Sequence, residues 1–405
     1  MNVQQLKDRS IEAWTWLIRQ QKKLHTETVV GVHSEELERG RTRFLLTLSD
    51  YSEPLSVIAF ETNKTESAFY GRIASGLNGI APTPWFDWQD RDGGWVVVEE
   101  GGPFHSPATW SRLDLERVTE RLAGLHSAWW GAEELKRIDL PKHPVVQSFD
   151  ISTKANSSHP ANQNSGGPQT GSLLSTMQSR GQAIPELMIA QVGFKMLRKL
   201  GGWPDLIEGV HLSALDHLLQ EPAIMLQPLQ HVPFTLLHGQ PVSENWQINL
   251  MDKTQLVNWR NVCIGPAVCD LAIFIEDYIF WHTPRPDLHR TIPGSLEEML
   301  VDGYLMNLGE HVALEGETRP GSSRHLRRHA LPAAICWHTV SHWLPTFVNW
   351  FGRMPASRHS WEVIEDLNPE SIKAWGLHEL AAYRPVLGSI FHRFLNAYKL
   401  LINDQ

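Results

Sequence analysis

The chain has 405 residues, 42% of them hydrophobic and 20% charged, with a formal net charge of -9. That is room for one large or two modest globular domains, and the acid excess excludes a general nucleic-acid binder, which needs a basic face. No run reaches the roughly 18 to 20 apolar residues of a membrane span, and the charged, amphipathic stretch 1–23 lacks the apolar core of a secretion signal, so a cytoplasmic location is expected.

Residues 4–24 carry apolar side chains at helical spacing. Three strand-like runs follow, Thr28–Val32, Thr42–Leu48 and Leu55–Glu61, rich in Val, Ile, Leu, Phe and Thr. Thr65–Leu77 returns to helical spacing with Thr65 as N-cap. Two further strands, Thr83–Trp88 and Trp95–Glu100, are joined through Asp92-Gly93, a hairpin turn signal. After Gly101-Gly102-Pro103 the pattern changes to helices over 113–130, 183–200, 206–220, 268–281, 294–314, 324–350 and 370–402. One interruption stands at 234–260, where strands Trp246–Leu250 and Gln255–Trp259 flank the turn Met251-Asp252-Lys253-Thr254. The segment 152–172 is poor in apolar residues and rich in Ser, Asn, Gln, Gly and Pro, which reads as a mobile insertion. The expected division is a small β-rich lobe over 1–101 and a helical lobe over 102–405. The fold class is α+β.

Seventeen tryptophans stand against six tyrosines, which indicates an aromatic-rich core or an aromatic-lined cavity. Trp281, Trp337 and Trp343 fall in the C-terminal helices, interleaved with Glu276, Glu297 and Glu298. His338 and His342 are four apart, a metal-pair spacing, but no neighbouring Glu in sequence completes a site, so they read as ordinary core or surface histidines. Cys263, Cys269 and Cys336 form no framework and read as small buried residues in a reducing compartment.

Four short motifs, in order, carry a resemblance. They are Leu125-His126 with Trp129, His238-Gly239 with Asn245, Asn258-Trp259-Arg260, and Gly265 with Asp270-Leu271-Ala272. Together they resemble the aminoglycoside phosphotransferase and choline-kinase-like family, and so imply a two-lobed, protein-kinase-like fold. The family's catalytic loop reads His-Gly-Asp, four residues, then Asn. Here the base position is Gln240, the metal-binding Asp is Asn258, and the acid after the aromatic is Arg260. The loop Asn is kept as Asn245. The strand lysine position is read as Ala59, which leaves Glu66 on the following helix without its partner. His126, His238 and Asp270 take structural roles on this resemblance.

Those exchanges make the cleft more positive by about three charges relative to the family, which favours an anion over Mg2+. Amide side chains can still ligate the metal, so Asn245 and Asn258 are its candidate ligands. ATP is not expected. Gln240, Asn245, Asn258 and Arg260 are the candidate catalytic set, and Trp259, Glu66, Trp281, Trp337 and Trp343 the candidate substrate-binding set. A phosphate-holding site beside aromatic surface suits a prenyl diphosphate. That combination resembles bacterial diterpene synthases of the kolavelool-synthase type, which release diphosphate and capture the carbocation with water. Two alternatives stand beside it. One is an inactive pseudokinase that binds or regulates. The other is a small-molecule kinase with displaced residues, Lys64 for the lysine and Glu244 or Asp252 for the acid.

Overall fold

A computed structural model describes the chain except residues 1–2, 22–23, 38–39, 78, 90–92, 148–183, 204–205, 250–252, 283–293, 313–320, 355–358, 361–367 and 404–405. The segment 152–172, Asp92 of the Asp92-Gly93 turn, and Met251 and Asp252 of the 251–254 turn therefore lie outside the described residues. The fold falls into two compact units. One comprises Met1–Pro141 with Leu236–Ile264, the other Lys142–Thr235 with Gly265–Gln405. This differs from the single cut after residue 101. The chain leaves the first unit near Pro141 and returns to it for the loop and hairpin that carry His238 to Arg260.

The first unit is built on an antiparallel sheet of five strands, β1 (Val29–Leu37), β2 (Arg41–Leu48), β3 (Leu55–Asn63), β4 (Pro84–Gln89) and β5 (Gly93–Glu99), in the order β1-β2-β3-β5-β4. The period-2 alternation of β3 assigns its two faces. Val57 and Ala59 join Phe44, Leu46, Trp95 and Val97 in one core cluster. That cluster is closed by the N-terminal helices α1 (Val3–Lys7) and α2 (Ile11–Arg19), whose fully buried Trp14 lies 4.9 Å from Phe44. The single helix expected over 4–24 is broken at Arg9, in the left-handed region at φ 62°, and restarts at Ser10, whose hydroxyl caps the Ala13 amide.

On the opposite face Phe60 meets Tyr70 of helix α3 (Lys64–Arg72) edge-on at 5.7 Å. The cap of α3 is Asn63, whose Oδ1 accepts from the Glu66 amide at 2.8 Å, in place of Thr65. Helix α4 (Arg112–Ala128) starts in a capping box between Ser111 and Asp114.

The second unit holds α5 (Pro185–Lys199), α6 (Gly209–Gln220), α7 (Ala223–Gln230), α8 (Val268–Asp277) and α9 (Gly294–His311), followed by a long helical run. Of these, α7 has no counterpart among the expected elements. A short pair, β6 (Phe234–Leu237) with β9 (Cys263–Pro266), and, in the first unit, a hairpin of β7 (Trp246–Ile248) with β8 (Thr254–Leu256) frame the segment that carries His238 to Arg260.

The helix expected over 324–350 is a chain of pieces: α10 (Ser323–His325), a π turn (Leu326–Ala330), α11 (Leu331–His338), a second π turn (Thr339–Trp343) and α12 (Leu344–Arg353). Each π turn runs directly up to a proline-bearing first turn, at Pro332 and Pro345. Proline lacks the amide donor and its ring crowds the carbonyl four residues back, so the preceding turn widens. The C-terminal helices α13 (Pro369–Trp375) and α14 (His378–Asn403) are separated by left-handed Gly376. Between α5 and α12 the approach is close: a Cβ on Gly193 would stand 2.0 Å from the Leu344 carbonyl oxygen. Cys263, Cys269 and Cys336 are buried and free, and among the described residues no helix is long and apolar enough to cross a membrane.

Candidate functional site

The loop after β6 is locked from its first residue. His238 is fully buried, and its Nδ1 accepts from the Gln240 amide at 3.3 Å. That fixes the proton on Nε2, which donates to the Val257 carbonyl at 3.0 Å and ties the loop to the residue that follows β8 of the hairpin. Gly239 sits at φ 80°, with the Asn261 carbonyl oxygen 2.1 Å from where a Cβ would be. Only glycine fits there without a shift of backbone.

Beyond it, side-chain amides form a chain. Asn245 donates from Nδ2 to the Gln240 carbonyl at 2.8 Å, and Asn258 donates from Nδ2 to Asn245 Oδ1 at 3.3 Å. Asn261 donates from Nδ2 to Gln240 Oε1 at 2.8 Å. Asn258 itself is left-handed at φ 68°, a conformation that Asn tolerates better than most residues. Gln240, Asn245, Asn258 and Arg260 are thus brought together by hydrogen bonds and chain proximity. Asn245 is buried, Asn258 half-buried, and Gln240 and Arg260 exposed.

Glu66 faces this loop from α3. It is 1% exposed, and its Oε2 lies 3.6 Å from Arg260 Nε, within ion-pair range but too long for a good hydrogen bond. Burial pushes its carboxyl up to about 7, while Arg260, Arg41 and the Trp259 amide pull the other way. Glu66 is therefore not partnerless, as the sequence suggested. Its cations are arginines, from β2 and from the turn after Asn258.

The lysine position also needs correction. Ala59 faces the α1–α2 core, so the residues of β3 on the α3 side are Ile58, Phe60 and Thr62. Lys64 pairs instead with Asp139, both exposed, at 3.1 Å. Glu244 is exposed, and Asp252 lies outside the described residues.

Trp259 is fully buried. It stacks on Phe69 at 4.0 Å and 13°, meets His238 edge-on at 4.7 Å, and donates to the Leu256 carbonyl at 2.8 Å. It is the wedge that fixes α3 against the loop. His126, in α4, is also fully buried.

In the second unit Asp270 is fully buried in the first turn of α8. The expected aromatic residues divide there. Trp337 is 3% exposed and lies 6.4 Å from His143. Trp343 is 2% exposed and belongs to a ring cluster through Tyr383, which contacts Trp343 at 5.0 Å, Trp350 at 6.1 Å and Trp281 at 4.5 Å. Trp281, 37% exposed, is the open end of that cluster.

Beneath it lies a network that sequence spacing did not disclose. Glu276 accepts from Trp343 Nε1 at 2.9 Å, pairs with His338 Nε2 at 3.1 Å and with Arg393 at 3.3 Å, and Arg393 also bonds Glu297 at 2.9 Å. Burial alone would raise the Glu276 carboxyl, but His338, Arg393 and Trp343 overcome it and hold it at about 2. The glutamate missing beside His338 and His342 thus arrives from α8, 62 residues earlier in the chain than His338. It makes an ion pair. Among the described residues no group of three or more His, Cys, Asp or Glu could hold a metal.

The donor set at the loop bears on Mg2+ in the same way. Asn245 and Asn258 offer neutral amide oxygens, one already occupied, beside the Arg260 guanidinium. A hard dication prefers carboxylates, so the set fits an anion better than a bare metal ion.

The model of the phosphotransferase enzyme family matches residues 144–304, a span that takes in His238, Gln240, Asn245, Asn258, Arg260 and Asp270. No curated protein matches the chain. Among solved structures, an aminoglycoside phosphotransferase from Alicyclobacillus acidocaldarius is similar at 11% identity over 93% of each chain, with a TM-score of 0.45. A choline kinase from Cryptosporidium parvum is similar at 11% identity over 97% of this chain and 96% of that one, TM-score 0.43. A choline/ethanolamine kinase family protein from Mesorhizobium loti gives 14%, 96%, 98% and 0.42 for the same measures. Over residues 144–304 the chain is phosphotransferase-like in sequence, and its α+β order of sheet then helices is that of the kinase-like fold.

Proposed function

We propose that the loop from Gln240 to Arg260 holds the phosphate end of an ester with an apolar body, and that the reaction is release of diphosphate from a prenyl diphosphate of the C20 class. The carbon–oxygen bond breaks with its electron pair leaving on the diphosphate. Water then attacks the allylic cation and loses a proton, giving a terpene alcohol. The observation that carries this reading is the amide chain of Gln240, Asn245, Asn258 and Asn261 beside Arg260, with Gln240 and Asn258 at positions where the family places carboxylates. With its Oε1 occupied by Asn261, exposed Gln240 keeps its amide NH2 as a donor. Amide donors and a guanidinium stabilise a leaving anion, while no proton acceptor of carboxylate strength occupies the Gln240 position.

The test is incubation of the purified protein with acyclic and bicyclic C20 diphosphates, measuring free diphosphate and terpene alcohol. ATP with small alcohols and amines is run in parallel. Release by the wild type, reduced by roughly tenfold or more in Arg260→Met, is expected from the loss of one charge-assisted contact. Diphosphate binding without product would leave a binding protein. Consumption of ATP dependent on a hydroxylated substrate would replace this reading with a kinase.

A further inference from the structure

We propose that the second unit carries a binding site of its own, for a carboxylate on a short hydrocarbon stem, in the cavity between α9 and the start of the helical run at Ser323. It does not rest on the phosphate-holding reading of the loop. The cavity measures about 380 Å3. Asp302, Leu305 and Met306 line it from α9, and Ser323, Arg327 and Arg328 line it from the other side. Helical period explains the mixed wall. On α9 the buried residues Val301, Tyr304, Leu305 and Leu308 recur three and four apart and face the core. Asp302 and Met306 stand one step round from that stripe and are exposed, Met306 to 64%. In the π turn Leu326 and Ala330 are buried, which turns Arg327 and Arg328 outward.

The charges of this wall do not balance. Arg327 pairs with Asp302 through Nη2. Among the described residues Arg328 forms no ion pair. Arg324 lines the same wall and is already engaged. Two guanidinium groups, of Arg327 and Arg328, against one carboxylate leave one positive charge, which suits a single negative charge on the ligand. The planar fork of arginine matches a carboxylate with two parallel N–H groups. Asp302 occupies one edge of the Arg327 fork and leaves further N–H donors on it. The hydroxyl of exposed Ser323 adds a neutral donor. Leu305 and Met306 offer the stem an apolar floor, and the unbranched thioether of Met306 adapts to a flexible chain. A cavity of this size lies at the lower end of small-molecule sites, which fits one short acyl chain.

The experiment is calorimetric titration of sodium octanoate into wild type, Arg328→Gln and Met306→Ser. Titrations of 1-octanol and of acetate run beside it, as do unliganded melting temperatures. Octanoate should bind wild type saturably. Affinity should fall by roughly tenfold or more in Arg328→Gln, through loss of one charge-assisted contact, and by severalfold in Met306→Ser, through loss of apolar surface. Octanol lacks the charge and acetate lacks the stem, so both should bind wild type more weakly than octanoate. Melting should change little, because both substituted side chains are exposed. Wild type that takes up no octanoate would overturn the proposal. So would octanoate binding by Arg328→Gln within about twofold of wild type, or octanol binding as tightly as octanoate. If Arg328→Gln does not fold, Met306→Ser decides: affinity equal to wild type overturns the proposal, and weaker binding by a folded protein supports it.

Discussion

Replacing Glu66 by Gln tests whether a buried acid without a full hydrogen-bond shell lies at the heart of the first unit. Glu66 is 1% exposed, and its carboxyl is lifted from an ordinary 4.5 to about 7. The folded state therefore holds a proton that the unfolded chain has released across that window. Stability from this source is fully present below pH 4.5 and is lost as pH rises toward 7. At about 1.4 kcal/mol per pH unit, the loss amounts to about 3 kcal/mol above pH 7. The burial is nearly complete, so no discount for solvent screening applies. Gln keeps the shape and cannot ionise. Wild type and Glu66→Gln, unfolded by urea at a series of pH values and followed by tryptophan fluorescence, should give a difference that moves by that amount in favour of the variant between pH 4.5 and 7. Taking the difference removes every titration the two proteins share. A difference that stays level across the window would mean that Glu66 ionises at its ordinary value, and the desolvation argument would fail.

Gly239→Ala should cost roughly 2 kcal/mol or more, because the added methyl meets backbone at Asn261 and the left-handed angle is unfavourable to it; a melting temperature equal to wild type would refute the clash. Glu276→Gln leaves Arg393 and His338 facing a neutral amide in the interior, a loss of about 3 to 5 kcal/mol near neutral pH. Because the Glu276 carboxyl is held at about 2, the wild type should lose that advantage only as pH falls from 4.5 toward 2, so the two proteins converge in acid. Equal stability at neutral pH would show the network to be dispensable.

The parts of the fold legible in the sequence were those with strong local period. The five strands and the long helices announce themselves because alternate or every-third-and-fourth apolar residues must share a face. Breaks were harder to see. Arg9 splits the N-terminal helix through a backbone angle that Arg seldom adopts, and Pro332 and Pro345 turn one expected helix into α and π pieces. At the site, the loop residues were visible because they are close in sequence. The pairing of Arg41 with Phe60 in the first unit and, separately, the Glu276–His338–Arg393 network in the second were not, since strand register in the one and helix crossings in the other join residues distant in the chain. Ala59 was misplaced by one step along β3, and one step in a strand exchanges the two faces of the sheet.

The contact at Gly193 also bears on how this protein tolerates change in length. With no side chain at that point, α5 lies directly against the backbone of α12, and the neighbouring positions of α5 carry full side chains. A slide of the helix by even one residue would bring a side chain into the space that only hydrogen now fills. The crossing thus acts as a stop that fixes where α5 begins. Residues gained or lost in the stretch leading up to Pro185 cannot be taken up by advancing or retracting the helix. They must be absorbed upstream of it, leaving the helical unit's register untouched.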